Sequence, residues 1–412
     1  MSHTQDTTPP HPATEQAPGP LQGLRVVEFG HAVAGPFATV MLADLGAEVI
    51  KIERPGVGDS LRGMGPRKGG VGLWWSVAGR NKRSITIDLQ KPEGLALARD
   101  VIARSDVVVE NFRPGVMERL GLGWDELRAL NPDLVLLRIS GFGQTGPYAG
   151  RGGFGKIAEA FSGATNLTGD PSTAPVHPGY SLGDATCGLM GAFAVLAALR
   201  AKDSGVAGGQ VIDLGLYEPV FRLIDWQLPV TVTGDVPITR SGPKFPFDAA
   251  FVTTICRTSD EGYVVVSAAT AATIQRLAEF LAAESGRPVT TGAATTASAG
   301  RLTDEVEAWC AAQPAERVIE LLSAAGVVCG PVLRPDEIMK DPQYAARENI
   351  VEIEDARIGT LTMPGVVPRF SETPGEVRWA GRELGEDTDA VLRALCGLSD
   401  ARIGELREAG VL

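Results

Sequence analysis

Short apolar runs alternate with amphipathic stretches over the first third of the chain. Leu24–Phe29 (LRVVEF), Glu48–Glu53 (EVIKIE), Ser84–Leu89, Asp106–Phe112 and Leu134–Ser140 read as strands, because short runs rich in Val, Ile and Leu suit a buried pleated position. Between them Phe37–Leu45, Pro92–Ala103, Pro114–Leu120 and Trp124–Leu130 read as helices, with Pro36 suited to a first helical position. Strands alternating with helices predict a parallel sheet covered on both faces. Residues 54–80 break the pattern. They hold eight glycines and little periodicity, which predicts a long loop of the kind that usually serves function.

The pattern changes further along. The run after Asp184 is apolar on nearly every side as far as Leu199, which predicts a buried helix. Val211–Gly215 reads as a strand, Glu218–Leu228 as a helix, and residues 229–248 as a Pro- and Gly-punctuated crossing. Phe251–Cys256 and Gly262–Ser267 read as strands, followed by helices at 271–283, 302–312 and 314–325. Strand-like pieces at Ile350–Ile353 and Gly359–Met363 precede helices near Thr388–Leu395 and Asp400–Ala409. The expected fold class is α/β: a large Rossmann-like parallel-sheet domain plus a smaller α+β domain. The expected division is a disordered tail over 1–20, the large domain over 21–228, the small domain with its linkers over 229–344, and a return to the large domain over 345–412.

Composition narrows the partners. The net charge of −12 over 412 residues argues against a nucleic-acid or anionic-membrane surface. Residues 1–20 are proline-rich and lack the apolar core of a signal peptide. No run reaches the ~18 uninterrupted apolar residues of a membrane span. Five scattered cysteines fit neither a disulfide framework nor a zinc site, and point to a reducing, cytoplasmic setting. Four histidines with no metal-ligand spacing predict no metal.

Two glycine motifs are candidate phosphate loops. Gly141-Phe-Gly143-Gln-Thr-Gly146 matches the dinucleotide fingerprint in letters, but Pro147 and Gly150–Gly153 continue a loop where the mechanism needs a helix. The Gly30–Gly35 turn is better placed, with a strand before it, a helix after it and His31 at the strand end. Gly179-Tyr-Ser181-Leu-Gly183 resembles a hydrolase elbow in letters only, since Pro175 and Pro178 break the strand that must precede it. Arg54, Arg113 and Arg119 follow strands at one sheet edge, either as solvated charges or as an anion site. Between Asp170 and Arg200 the only formally charged residue is Asp184. It is either a helix N-cap, worth about 1 kcal/mol, or an acid kept ionised by the helix dipole and short of water, which is the state of a carboxylate nucleophile.

The motifs together resemble class III CoA-transferases, the formyl-CoA and carnitine CoA-transferase family. The residues that carry the likeness are Leu24–Gly63, Asn81-Lys-Arg-Ser-Ile, Asp106–Gly115, Ser140–Tyr148, Ser181–Gly188, Ala325–Pro331, Ser371–Gly375 and Leu398-Ser-Asp-Ala. The resemblance implies that Asp184 is the nucleophile. It implies CoA contacts at Ala32, Val33 and Ala34, with His31 beside them, and at Arg54, Asn111, Phe112, Val116 and Arg119. It also places Phe154 and Lys156 at the site, Lys156 either pairing a distal substrate carboxylate or facing solvent. The family's Gly-rich loop falls on Ser267–Ala271, which is not glycine-rich here. The racemase branch resembles Gly-His-Asp where this chain has Gly153-Phe154-Gly155, and phenylalanine cannot move a proton. The implied activity is therefore transfer of CoA from an acyl-CoA, closest in motif to succinyl-CoA-dependent dicarboxylate enzymes, to a small carboxylic acid. A 2-methylacyl-CoA racemase and a non-catalytic CoA binder are the alternatives. The thioester is substrate, no cofactor is held permanently, and an interlocked homodimer is implied.

Overall fold

The computed structural model describes residues 19–244, 251–289 and 296–412. The expected tail over 1–18 and residues 245–248 of the expected crossing lie outside the described residues. The strands are β1 (Arg25–Glu28), β2 (Glu48–Glu53), β3 (Arg67–Lys68), β4 (Val71–Gly72), β5 (Lys82–Thr86), β6 (Val107–Glu110), β7 (Val135–Ser140), β8 (Gln210–Gly215), β9 (Val252–Arg257), β10 (Tyr263–Ala268), β11 (Val328–Pro331), β12 (Ile350–Asp355) and β13 (Gly359–Pro364). The chain divides into two compact units. The first comprises residues to Gly152, 184–215 and 348–412; the second comprises 153–183 and 216–347. Residues 153–183 and 216–228 thus belong to the second unit, whereas the sequence pattern groups them with the large domain.

The first unit is built on six parallel strands in the order β5-β2-β1-β6-β7-β8. Val27, Ile50, Val108 and Leu136 are fully buried in its core, and Val391, Leu392 and Leu406 of the last two helices join the same core. The strand order reverses between β1 and β6. Outside the carboxyl ends of such strands lies the crevice where open α/β sheets take ligands. In the second unit, β11-β10-β9 form an antiparallel sheet. Val252, Val264 and Val266 pack there against Leu277, Leu302 and Val318 of its helices.

Two expectations are overturned. Residues 54–80 are not a featureless loop. They form a 3-10 turn at Ser60–Gly63, the β3–β4 pair and a helix at Leu73–Ala78. Their anchors are remote in sequence: Trp75 Nε1 donates to the Arg382 carbonyl at 2.9 Å. The helix Leu182–Asp203 is not buried all round. Cys187, Gly188, Gly191 and Val195 face inward, while Leu189 and Phe193 are 54% and 66% exposed. Polarity alone cannot separate the face that meets the sheet from the face that does not.

Candidate active site at the strand-order reversal

Glu28, Glu53 and Glu110 end β1, β2 and β6, and each is buried. Buried charges need partners, and these have them. Glu28 takes Lys51 at 2.7 Å, Lys82 at 2.9 Å and the Thr39 hydroxyl at 2.6 Å. Lys51 also donates to the Gly30 carbonyl at 2.7 Å and pairs with Asp59 at 2.7 Å. Burial alone would raise the Glu28 carboxyl, but Lys51 and Lys82 together hold it below its ordinary range. Burial pushes Lys82 down to about 8 against the pull of Glu28.

This network shapes the turn after β1. Ala32 is a non-glycine residue at φ +60°, a conformation that persists only when its surroundings hold it. Its N–H donates to Asp59 Oδ1 at 2.9 Å. Across the crevice, the Asn111 amide is bonded to the His31 backbone in both senses. It accepts from the His31 N–H at 2.7 Å and donates to the His31 carbonyl at 2.8 Å. The His31 ring lies 5.8 Å from the Phe112 ring, centroid to centroid. Burial, then the positive charge of Lys51, lowers the His31 pKa, so the imidazole is neutral at pH 7. Phe112 is held in turn by Glu110, which accepts its N–H at 2.7 Å and receives Arg138 at 2.7 Å.

Helix Ala34–Asp44 starts at this turn, with Val33 as N-cap and no side chain capping it. An uncapped helix start at the carboxyl edge of a sheet presents backbone N–H groups to an anion such as a phosphate. Arg54, Arg113 and Arg119 are exposed, and Val116 opens the short helix Val116–Arg119. The structure therefore gathers Ala32, Val33, Ala34, Asn111 and Phe112 at the reversal point, with Arg54 directly after β2.

Asp184 lies in the first turn of the helix Leu182–Asp203 and is half-buried. One turn later, Gly188 rests on the start of helix Ala34–Asp44. A Cβ built at Gly188 would stand 2.8 Å from the Ala34 carbonyl oxygen and 2.9 Å from the Ala38 nitrogen. Only glycine allows that approach, and it is what brings the Asp184 turn to the β1 turn within the first unit. Cys187 is buried beside it.

Phe154 and Lys156 belong to the second unit. Phe154 precedes helix Gly155–Phe161 and is 76% exposed. The Lys156 side chain is partly exposed, but its ammonium does not stand alone. It contacts both oxygens of Glu159, the Pro178 carbonyl at 2.9 Å and the Tyr180 carbonyl at 2.7 Å. Ser267 and Ala268 complete β10, and Thr270 caps the next helix through the Thr273 N–H at 3.2 Å, so Ser267–Ala271 is not a free loop. No helix opens at Gly141–Gly146, and no strand precedes Ser181. Among the described residues no group of three or more His, Cys, Asp or Glu has metal-binding geometry.

The residue types that sequence reasoning missed are the buried acids Glu28, Asp59, Glu110 and Glu159. Three glutamates closing otherwise apolar strands, Glu28, Glu53 and Glu110, were the available signal.

The family model of CoA-transferase family III matches residues 21–388. The chain belongs to this family. This family III CoA-transferase is 39% identical over 409 residues to the succinyl-CoA–D-citramalate CoA-transferase of Chloroflexus aurantiacus, covering 97% of this chain and 100% of the relative. It is 30% identical to the human succinyl-CoA:glutarate CoA-transferase, over 95% of this chain and 90% of that one. A crystal structure of a CAIB/BAIF family protein from Brucella suis superposes with a TM-score of 0.80 at 30% identity, covering 92% of this family III CoA-transferase and 100% of that chain. Two full-length transferase relatives at this identity make the chain a CoA-transferase as well as a family member. The relatives act on acyl-CoA thioesters and carboxylic acids.

Proposed function

We propose that the protein moves CoA from succinyl-CoA, or another short dicarboxylyl-CoA, to a small carboxylic acid, with Asp184 as nucleophile. The observation that carries this reading is the placement of Asp184, a half-buried carboxylate in the first turn of a long helix that Gly188 seats on the β1 turn. The succinyl-CoA named for relatives of up to 39% identity supports the donor.

The steps balance without a cofactor. An Asp184 carboxylate oxygen attacks the acyl carbon of the donor thioester; the C–S bond breaks and gives an acyl-aspartyl anhydride and CoA thiolate. The thiolate attacks Cγ of Asp184, the anhydride C–O bond breaks, and the donor acid leaves behind an aspartyl-CoA thioester. The acceptor carboxylate attacks the same Cγ and expels thiolate. The thiolate then takes the acceptor acyl group and restores Asp184. Covalent catalysis divides one hard exchange into easier ones. The turn at Ala32–Ala34, with Arg54, Asn111, Phe112, Val116 and Arg119, holds the CoA moiety, its phosphates facing the uncapped helix start. Each well-aimed backbone N–H on the developing oxyanion is worth roughly 3 kcal/mol. Gly183 is not such a donor, because its N–H is given to Glu159 at 3.1 Å.

The test is Asp184→Asn and Asp184→Ala with succinyl-CoA and a panel of mono- and dicarboxylates, read by mass spectrometry of acyl-CoA products. Loss of exchange by at least a thousandfold is expected, and hydroxylamine trapping should add about 15 Da at Asp184, the mass of a hydroxamate. Retained exchange removes the nucleophile. Incorporation of deuterium at the α-carbon of a 2-methylacyl-CoA, without CoA exchange, would establish the racemase instead.

A further inference from the structure

Glu159 has no part in that mechanism, yet it is fully buried. It sits on helix Gly155–Phe161. Its carboxylate gathers three donors: the Gly183 N–H at 3.1 Å, the Lys156 ammonium at 3.1 and 3.2 Å, and His177 Nδ1 at 3.1 Å. All these residues lie in the second unit. A buried carboxylate with three donors is a fixed point, and removing it would leave the buried Gly183 N–H without an acceptor.

What it fixes is the segment 177–183. His177 stands at one end of that segment and Gly183 at the other, both on Glu159, and Lys156 ties down the carbonyls of Pro178 and Tyr180 between them. A second contact pins the same end. A Cβ built at Gly183 would stand 2.5 Å from the Gly155 carbonyl oxygen. The helix Gly155–Phe161 therefore grips Gly183 twice, by backbone contact at Gly155 and by carboxylate at Glu159. The next residue in the chain is Asp184.

We infer that Glu159 is a positioning residue for the transfer reaction: with Lys156 and His177 it fixes the backbone at Gly183, and through the covalent start of helix Leu182–Asp203 it sets the angle at which the Asp184 carboxylate is presented. Lys156 serves this strut, and a distal substrate carboxylate must find its cation elsewhere. The inference rests on Asp184 being the nucleophile.

The experiment compares Glu159→Leu, Glu159→Gln, Lys156→Met and Gly183→Ala with the wild type, all checked for folding by circular dichroism and thermal melting. The readouts are kcat, KM for succinyl-CoA, and the single-turnover rate of hydroxylamine trapping at Asp184. Glu159→Leu should lower kcat and the trapping rate at least thirtyfold while KM changes less than threefold. Glu159→Gln keeps an oxygen for the Gly183 N–H and should recover most of the loss. Lys156→Met should cost kcat less than Glu159→Leu and leave KM for dicarboxylate and monocarboxylate acceptors changed equally. Gly183→Ala, which keeps every polar contact but displaces the backbone, should mimic Glu159→Leu. A role confined to folding would lower the melting temperature without separating kcat from KM. A folded Glu159→Leu with kcat and trapping within threefold of wild type overturns the inference. If that variant does not fold, a wild-type kcat in Gly183→Ala overturns it. A selective rise in KM for dicarboxylate acceptors in Lys156→Met would do so too, by making Lys156 a substrate contact. Should Asp184→Asn itself retain exchange, the nucleophile fails first, and these comparisons lose their meaning independently of Glu159.

Discussion

At the scale of single residues, Asn111 shows how a side chain holds another residue's backbone at the proposed CoA site. Both ends of its amide are bonded to the main chain of His31, so it holds the β1 turn to the exit of β6 across the reversal point. Asn111→Ala leaves the His31 N–H and carbonyl without that partner. Loss of a partner for half-buried polar groups costs about 1–3 kcal/mol, which is roughly 5- to 150-fold in an equilibrium constant. Isothermal titration with CoA should show weakening in that range. Asn111→Asp keeps the acceptor for the His31 N–H but not the donor to its carbonyl, and should fall between. Unchanged affinity in Asn111→Ala would show that the turn holds itself.

At the scale of elements, the buried ion network under β1, β2 and β5 makes the sheet end a rigid base. Glu28 compensates Lys51 and Lys82 at once. Removing one partner of a buried pair is much worse than never having had it, costing about 3–5 kcal/mol. Glu28→Gln should lose that much in urea unfolding at pH 7, and a loss below about 1 kcal/mol would show the network to be ornamental. The pH dependence has a definite sign. Glu28 is held below its ordinary 4.5, so its stabilisation is present above pH 4.5 and is lost as pH falls through the folded value. Lys51 is raised above its ordinary 10.5, so its share is present below 10.5 and lost at still higher pH. The gap between wild type and Glu28→Gln should therefore close in acid.

That network also marks the limit of what the chain's pattern discloses. β2 is found at Glu48–Glu53 as expected, and the helix Trp124–Leu130 likewise, because burial on both faces of a strand and one face of a helix is written in local spacing. The turn at Gly30–Gly35 and the isolated Asp184 were legible for the same reason, each a local departure from its neighbours. The pairings were not. Glu28 meets Lys51 and Lys82, and Trp75 meets Arg382, and nothing local in a run of residues names a partner dozens or hundreds of positions away. Residues 54–80 looked shapeless because their order is supplied by such remote partners. The contacts of Lys156 with Glu159 and the 178 and 180 carbonyls were not legible either, because these groups are close only once helix Gly155–Phe161 has formed.

At the scale of the whole molecule, the helix Leu182–Asp203 carries the remaining argument. By length and composition it is apolar enough to span a membrane, yet Gly191 meets Leu137 of the sheet, where a Cβ would stand 2.9 Å from the Leu137 side chain. The face away from the sheet carries Leu189, Phe193 and Ala197, four residues apart and all exposed. A stripe of that spacing is the seam by which helices pair, and exposed apolar patches of this kind mark association surfaces. The resemblance to class III CoA-transferases implies a homodimer, and the prediction argued from the stripe is that a second copy of this chain covers it. Light scattering after size exclusion should then give twice the chain mass of 43.2 kDa. Phe193→Asp puts a charge in the middle of the stripe without touching the face on the sheet. It should shift the protein toward the single-chain mass and lower activity in proportion to the dimer lost, with activity returning at high protein concentration. A wild type that runs at 43.2 kDa, or a Phe193→Asp variant that remains fully dimeric, would place the association surface elsewhere and leave the stripe without this role.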